Sequence, residues 1–216
     1  MGFKEYDVIN RRQAFSNFIG YTDPIFSITS RLDVTSMFSW CKKHHRSFFI
    51  EFMYAVSCAA NDIENFRVRI EDDRPIIFDR VDPSYIVIRA DNSICTCQSE
   101  FTRDRERFFT EVRKTIDSAK TSEDEGVFNN HRDKGLLYIS CVPWVDVVSL
   151  KNPYNLEDKG SCSIPRITWA KVVEEGMSYK VTVDVSAHHA LMDGYHVSQF
   201  LSVLQKIADD YRKEGD

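Results

Sequence analysis

The sequence predicts a mixed α/β domain, α+β in character, with one large, mostly antiparallel or mixed sheet covered by helices. Three observations carry that reading. Short alternating apolar segments that suit strands recur between residues 67 and 185. Apolar stripes at helical spacing lie between those segments and at the end of the chain, so helices and strands are interspersed. No linker, repeat or low-complexity tract interrupts the 216 residues, and 8 Gly with 6 Pro is sparse, so residues 1–216 read as a single domain. A hydrophobic fraction of 43% is ample for its core.

Asp33 stands where an N-cap would precede a short helix, because Val34, Met37, Phe38 and Cys41 follow at i, i+3, i+4 and i+7. Residues 48–60 are apolar on nearly every side, which predicts a helix buried from several directions. Val68 and Ile70 alternate with Arg67 and Arg69 before Asp72-Asp73, and Ile76-Ile77-Phe78 follow, the pattern of an antiparallel hairpin. Further strands are expected over 85–88, 136–141, 166–173 and 179–185. Phe108, Phe109, Val112 and Ile116 mark a helix over 103–119. A last helix over 195–212 carries the stripe Val197, Phe200, Leu201, Leu204, Ile207 and Tyr211.

Composition excludes several function classes. With 28 Lys+Arg against 33 Asp+Glu, the formal charge is -5, so no overall basic field exists to hold a nucleic acid or an anionic membrane. The segment after Met1 (Gly2, Phe3, Lys4, Glu5) lacks a signal-peptide pattern, and no apolar run approaches the roughly 20 residues of a membrane helix. A soluble, cytoplasmic protein is expected. Cys41, Cys58, Cys95, Cys97, Cys141 and Cys162 lack the paired spacing of a zinc site or a secreted disulfide framework, which predicts reduced, mostly buried thiols.

The residues with most chemical content run from Asp184 to His196. An alternating strand (Val181, Val183, Val185) delivers His188 and His189 to its end, and Asp193-Gly194 then turns the chain into the last helix. A histidine at such a junction can be partly shielded and rigidly held, and the ordinary histidine pKa of about 6.5 keeps an imidazole largely neutral and able to accept a proton. His189 is therefore a candidate general base for an alcohol. An aliphatic hydroxyl is too weak an acid to be ionised beforehand, so proton removal must accompany attack on an activated acyl group such as a thioester. The resulting oxyanion calls for a hydrogen-bond donor from another strand. Other readings compete. His-His pairs arise cheaply, as at His44-His45. A metal site built on His188, His189, Asp193 and His196 conflicts with the turn, which breaks the i, i+4 helical pairing used for zinc, so no metal is expected. Cys141 lies among apolar neighbours that suit burial rather than nucleophilic activation.

The run His188-His189-Ala190-Leu191-Met192-Asp193-Gly194-Tyr195-His196-Val197 resembles the HHxxxDG motif, with the following aromatic-His-Val, of chloramphenicol acetyltransferases. HHxxxDG alone also resembles condensation domains of peptide synthetases, and HxxxDG marks dihydrolipoamide acyltransferases. The resemblance extends over nearly the whole chain. It includes Asp7-Val8, Arg11 to Phe15, Leu32 to Thr35, Asp79 to Pro83, Ile139 to Val145 and Thr168 to Lys171.

The resemblance implies the fold of CoA-dependent acyltransferases, a sheet continued across the subunits of a homotrimer, and active sites between those subunits. It implies acetyl transfer from acetyl-CoA to a hydroxyl of chloramphenicol or a similar small molecule, directly within a ternary complex. His189 would be the base, held in an unusual tautomer by its own carbonyl. Ser140 would donate to the oxyanion, Thr168 would bind the intermediate through water, and Asp193 would be a structural acid paired with Arg11. Lys171 matches a lysine near the cofactor phosphates, while Ser47 and Phe49 replace a usual lysine and tyrosine. Phe18, Phe128 and Tyr138 match aromatic positions of the acceptor pocket, with Pro24 in place of a frequent cysteine and Ile94 in place of an aromatic. The segment 151–161 is longer and more polar than the family's loop. These departures keep open a different alcohol acceptor; a trimeric, non-catalytic binding protein with this fold is the third reading.

Overall fold

The computed structural model of the protein describes residues 2–122 and 135–211. Among these described residues, ten strands and six α-helices follow the interspersed order read from the sequence. The strands are β1 (Phe3–Glu5), β2 (Ile25–Asp33), β3 (Val68–Glu71), β4 (Arg74–Phe78), β5 (Asp82–Ile88), β6 (Ile94–Gln98), β7 (Leu136–Val142), β8 (Arg166–Ala170), β9 (Val173–Glu175) and β10 (Ser178–His188). The helices are α1 (Arg12–Phe18), α2 (Thr35–Lys43), α3 (Phe48–Asp62), α4 (Arg105–Thr121), α5 (Lys159–Cys162) and α6 (Gly194–Asp210).

Seven strands form one mixed sheet in the order β2-β10-β8-β7-β5-β6, with β9 paired to the first part of β10. The β5–β7 and β7–β8 pairs are parallel and the others antiparallel. A separate three-stranded sheet, β1-β4-β3, holds the expected hairpin, whose turn places Asp72 and Asp73 at φ 47° and 58°. Both conformations are left-handed, which aspartate tolerates better than most residues.

The two faces of the large sheet differ in chemistry because side chains alternate along each strand. On β10, Val181, Val183, Val185 and Ala187 are fully buried in the core. Phe26, Ile28 and Leu32 of β2, Ile167 and Trp169 of β8, Leu137 and Ile139 of β7, and Cys95 and Cys97 of β6 join them there. Helix α3 covers this face, buried from several directions as its composition demands, and packs beside α6 through Val197, Phe200, Leu204 and Ala208. Burying one such Val, Leu or Phe contributes about 1.5–3 kcal/mol, so these helices hold the sheet mainly through their apolar stripes. One ionic network lies within the core wall. Glu51 of α3 is 1% exposed, pairs with Arg46 at 2.8 Å and Arg105 at 3.0 Å, and accepts from Tyr211 Oη at 2.8 Å.

The opposite face carries Ser27, Thr29 and Arg31 of β2, Thr182, Asp184, Ser186 and His188 of β10, Arg166 and Thr168 of β8, and Tyr138 and Ser140 of β7. Among the described residues no helix of the large core lies on it; the segment 143–165 crosses part of it.

Several boundaries differ from the sequence reading. The strand expected over 166–173 ends at Ala170, and β9 forms a hairpin with β10 around Gly176, whose φ of 61° favours glycine. Helix α2 starts at Thr35, with Asp33 accepting from the Thr35 N–H at 2.9 Å. Strands β1, β2 and β6 and helix α1 were not anticipated. No helix of the described residues is long and apolar enough to cross a membrane.

Candidate active site

Strand β10 ends at His188, and the chain then turns for five residues before α6. His189 is the first residue beyond the strand. Its N–H donates to the Pro24 carbonyl at 2.8 Å, which continues the β2–β10 pairing by one step and fixes the backbone beneath the imidazole. The ring stacks on Phe18, with centroids 4.1 Å apart and planes within 8°, and leans on Phe26 at 4.8 Å. His189 Nδ1 is buried and has no hydrogen-bond partner on another group.

The turn is held from both ends. The Leu191 N–H donates to the His188 carbonyl at 3.0 Å, and Asn65 Nδ2 donates to the Leu191 carbonyl at 2.7 Å. Asp193 is the N-cap of α6, accepting from the Tyr195 N–H at 3.0 Å, while His196 Nδ1 lies 2.8 Å from Asp193 Oδ1. Its other oxygen accepts from Arg11 Nη1, and Arg11 Nη2 donates to the His189 carbonyl at 3.3 Å. Asp193 is thus both cap and ion-pair partner. Burial works against its ionisation, but hydrogen bonds from Arg11 and His196 outweigh that effect and bring its carboxyl down to about 2.

The neighbouring histidine is different. His188 points to the polar face, is 2% exposed, and accepts from the Ala190 N–H at Nδ1, 3.2 Å away. Burial, helped by Lys159 and His189, pushes its pKa down to about 4. A neutral His188, bonded at Nδ1, serves the fold of the turn.

Ser140 and Thr168 form a second group. They are register partners on β7 and β8, and Thr168 is in turn paired with Asp184 on β10. Thr168 Oγ1 donates to Asn152 Oδ1 at 3.1 Å, and Asn152 Nδ2 reaches Ser186 Oγ at 3.3 Å and Asp184 Oδ2 at 3.4 Å. Asp184 also accepts from Thr29 and Ser186, each at 2.8 Å. Its burial dominates those bonds and raises its pKa. Asn152 and Asp184 were not singled out by sequence reasoning. The polar alternation Thr182, Asp184, Ser186, His188 was a visible signal for this network, but its partner Asn152 comes from an irregular segment without periodicity.

The structure therefore brings Arg11, Phe18, Pro24, His189 and Asp193 together, and Tyr138, Ser140 and Thr168 together, at two places. From Asp184, Ser140 is two strands away and His188 four residues along β10. Strand spacing and rise then separate Ser140 from the histidines by about 16 Å within one chain, and Thr168 by about 14 Å. Ile94 lies exposed on β6, on the face of Tyr138, and Lys171 is exposed just beyond β8. Phe128 lies outside the described residues. Among the described residues, no group of three or more His, Cys, Asp or Glu could hold a metal ion. All six cysteines are free, and burial pushes the Cys141 thiol up to about 12.

Comparison with known proteins places this geometry. The family model described as chloramphenicol acetyltransferase matches residues 1–205. Chloramphenicol acetyltransferase 3 of Escherichia coli is 29% identical, the alignment covering 99% of this chain and all of that protein. The chloramphenicol acetyltransferase of Campylobacter coli is 27% identical over 96% of this chain and 99% of its own. A solved chloramphenicol acetyltransferase structure superposes with a TM-score of 0.88 at 25% identity, covering 96% of this chain and 100% of that one. A probable dihydrolipoamide acetyltransferase from Listeria monocytogenes 4b F2365 shares the fold alone, with a TM-score of 0.66 at 14% identity over 99% and 97% of the two chains.

Proposed function

Because the chain belongs to the chloramphenicol acetyltransferase family, we propose that it moves the acetyl group of acetyl-CoA to a hydroxyl of chloramphenicol or a closely similar alcohol, with His189 as general base. The observation that carries this reading is the setting of His189. Its backbone is pinned at Pro24, its ring is clamped on Phe18, and its carbonyl is bonded by the Arg11 that also grips Asp193.

A base must be aimed as well as basic. Nδ1 is buried without another partner, so its N–H has only the residue's own carbonyl to favour. That arrangement leaves Nε2 as the lone-pair nitrogen for the acceptor. In the proposed reaction Nε2 takes the hydroxyl proton as the alcohol oxygen attacks the thioester carbon, and the oxyanion formed accepts from Ser140, with Thr168 holding the intermediate through water. Collapse breaks the carbon–sulfur bond, and the departing thiolate recovers the proton from His189. No acyl-enzyme forms. Lys171, exposed beyond β8, is suited to the cofactor's phosphates.

His189 and the Ser140–Thr168 pair are too far apart to meet within one chain, which supports a homotrimer with each site built from two subunits. The polar face of the large sheet suits such an interface.

Thiol release from acetyl-CoA, followed continuously with and without chloramphenicol, tests the proposal. Chloramphenicol-dependent release that disappears in His189→Ala, with the variant still folded and still binding CoA, is expected. A His189→Ala protein working at near the wild-type rate would overturn it.

A further inference from the structure

Among the described residues, Arg166 is a cation without a paired carboxylate. It lies on the polar face of β8, two residues before Thr168, with Tyr138 of β7 as its register partner. Its guanidinium is stacked 3.9 Å from the ring centre of Tyr154 and lies 5.5 Å from that of Tyr138. Tyr154 is itself tethered, its hydroxyl donating to the Ser186 carbonyl at 3.1 Å. Arg166 Nε is buried without a hydrogen-bond partner, and among the described residues no carboxylate pairs with the group. The nearby carboxylate of Asp184 is already occupied by Thr29, Ser186 and Asn152.

Arg11, Arg67 and Arg80 also have a buried Nε without a hydrogen-bond partner, but each is held by acceptors at its Nη atoms. Arg166 differs in having no protein acceptor among the described residues, which is costly for a part-buried guanidinium. Here the rings of Tyr154 and Tyr138 lie beside the guanidinium, and no acceptor for it lies among the described residues. A planar, pre-oriented arginine is matched to a carboxylate, which it binds through two parallel N–H bonds.

From this geometry we propose that Arg166 is a specificity residue that favours acceptor alcohols bearing a carboxylate, which it binds while the hydroxyl lies at Ser140 and Thr168. The inference rests on the acetyltransferase reading above and adds to its acceptors, beside the uncharged chloramphenicol, a second class, aromatic hydroxy acids. Two residues of strand separate Arg166 from Thr168, about 6.6 Å, a span that a single benzene ring bridges. The flanking rings of Tyr138 and Tyr154 favour such a body. A phosphate would leave charge unmatched, since the two lysines of the segment 143–165 are paired elsewhere, Lys159 with Asp73 at 2.7 Å and Lys151 with Asp23 at 3.8 Å.

The test compares 4-(hydroxymethyl)benzoate with its methyl ester, which has the same ring and hydroxyl but no charge. Thiol release gives kcat/KM for each in the wild type, Arg166→Met and Arg166→Lys, and calorimetry gives their Kd values. In the wild type the acid is expected to be used, or bound, at least about tenfold better than the ester, the scale of a charge-assisted bond. Arg166→Met should remove or invert that preference, and Arg166→Lys should keep part of it. The lysine variant also serves if the methionine variant does not fold. Equal handling of acid and ester by the wild type, or a ratio unmoved in a folded variant, overturns the proposal. So does an Arg166→Met protein that loses subunit association with its acceptor ratio intact, since Arg166 would then face a neighbouring subunit's carboxylate. Chloramphenicol run in parallel separates the two readings: if no alcohol releases thiol, the acetyltransferase reading fails, while the Kd ratio still decides the role of Arg166.

Discussion

Arg11 and Asp193, 182 positions apart in the chain, are joined by an ion pair whose second guanidinium nitrogen reaches the His189 carbonyl at 3.3 Å. A residue from the N-terminal segment thereby couples the cap of α6 to the backbone of the proposed base. Arg11 touches no reacting atom in this scheme, so its role is positioning. Arg11→Met and Asp193→Asn should lower kcat by about 10–100-fold, the scale of misplacing a catalytic group, with KM for the acceptor little changed. Arg11→Lys should recover only part, because a point charge cannot bridge two acceptors as the fork does. An equal rise in KM with kcat unchanged would instead assign the pair to acceptor binding.

Acid should weaken the fold in two steps. His188 is neutral in the folded chain until about pH 4, whereas in the unfolded chain it protonates near its ordinary 6.5. Between those values the unfolded state binds more protons, so stability is full above pH 6.5 and falls as the pH drops towards 4. Asp193 is depressed from 3.8 to about 2, so its contribution is present above pH 4 and lost between there and 2. Melting temperatures measured from pH 8 to 3 should show the first loss in the wild type and a shallower one in His188→Gln, which can still accept from the Ala190 N–H. Parallel profiles for the two proteins would remove His188 as the cause.

Much of this was legible in the sequence, and what was not has a common cause. Periodicity found α3, α4, α6 and the β3–β4 hairpin, because each has one chemically distinct face. It missed β2, where Ser27, Thr29, Ser30 and Arg31 dilute the apolar signal of Phe26, Ile28 and Leu32. That strand becomes visible only through its nine-residue pairing with β10. The same holds for the site. The histidine pair and the Asp-Gly turn stood out locally, and the resemblance supplied Arg11 as the partner of Asp193. Asn152 and Arg166 are ordinary residues in sequence and gain meaning only from the strands and rings that fold beside them.

Asn152 should matter more than its irregular segment suggests. It accepts from Thr168 and donates towards Asp184 and Ser186, so it joins the segment 143–165 to three polar residues of the sheet. Asn152→Ala leaves the buried Thr168 hydroxyl without its acceptor and removes one donor from Asp184. A loss of about 1–3 kcal/mol in unfolding free energy is expected for such unsatisfied groups, together with slower acetyl transfer through a freed Thr168. Asn152→Asp should destabilise further at neutral pH, because it sets a second carboxylate against Asp184. Chemical denaturation of the three proteins measures this, and wild-type stability in Asn152→Ala would show that the bridge carries no weight.

The separation of His189 from Ser140 yields the sharpest test of a shared site. If each site takes its base from one subunit and its oxyanion donor from the next, His189→Ala and Ser140→Ala are complementary lesions. Each pure variant should be severely impaired, the serine variant by about 10²–10³ in kcat on the scale of a lost oxyanion donor. Subunits of the two variants, unfolded together and refolded as a mixture, should regain activity, because every mixed trimer contains one interface at which both residues are intact. With random 1:1 assembly three trimers in four are mixed, each with one good site in three, so recovery should approach about a quarter of the wild-type rate. Mixing the folded variants without exchange supplies the control and should recover nothing. Absence of recovery in a refolded mixture of trimeric mass would overturn the shared site and place base and donor in the same chain.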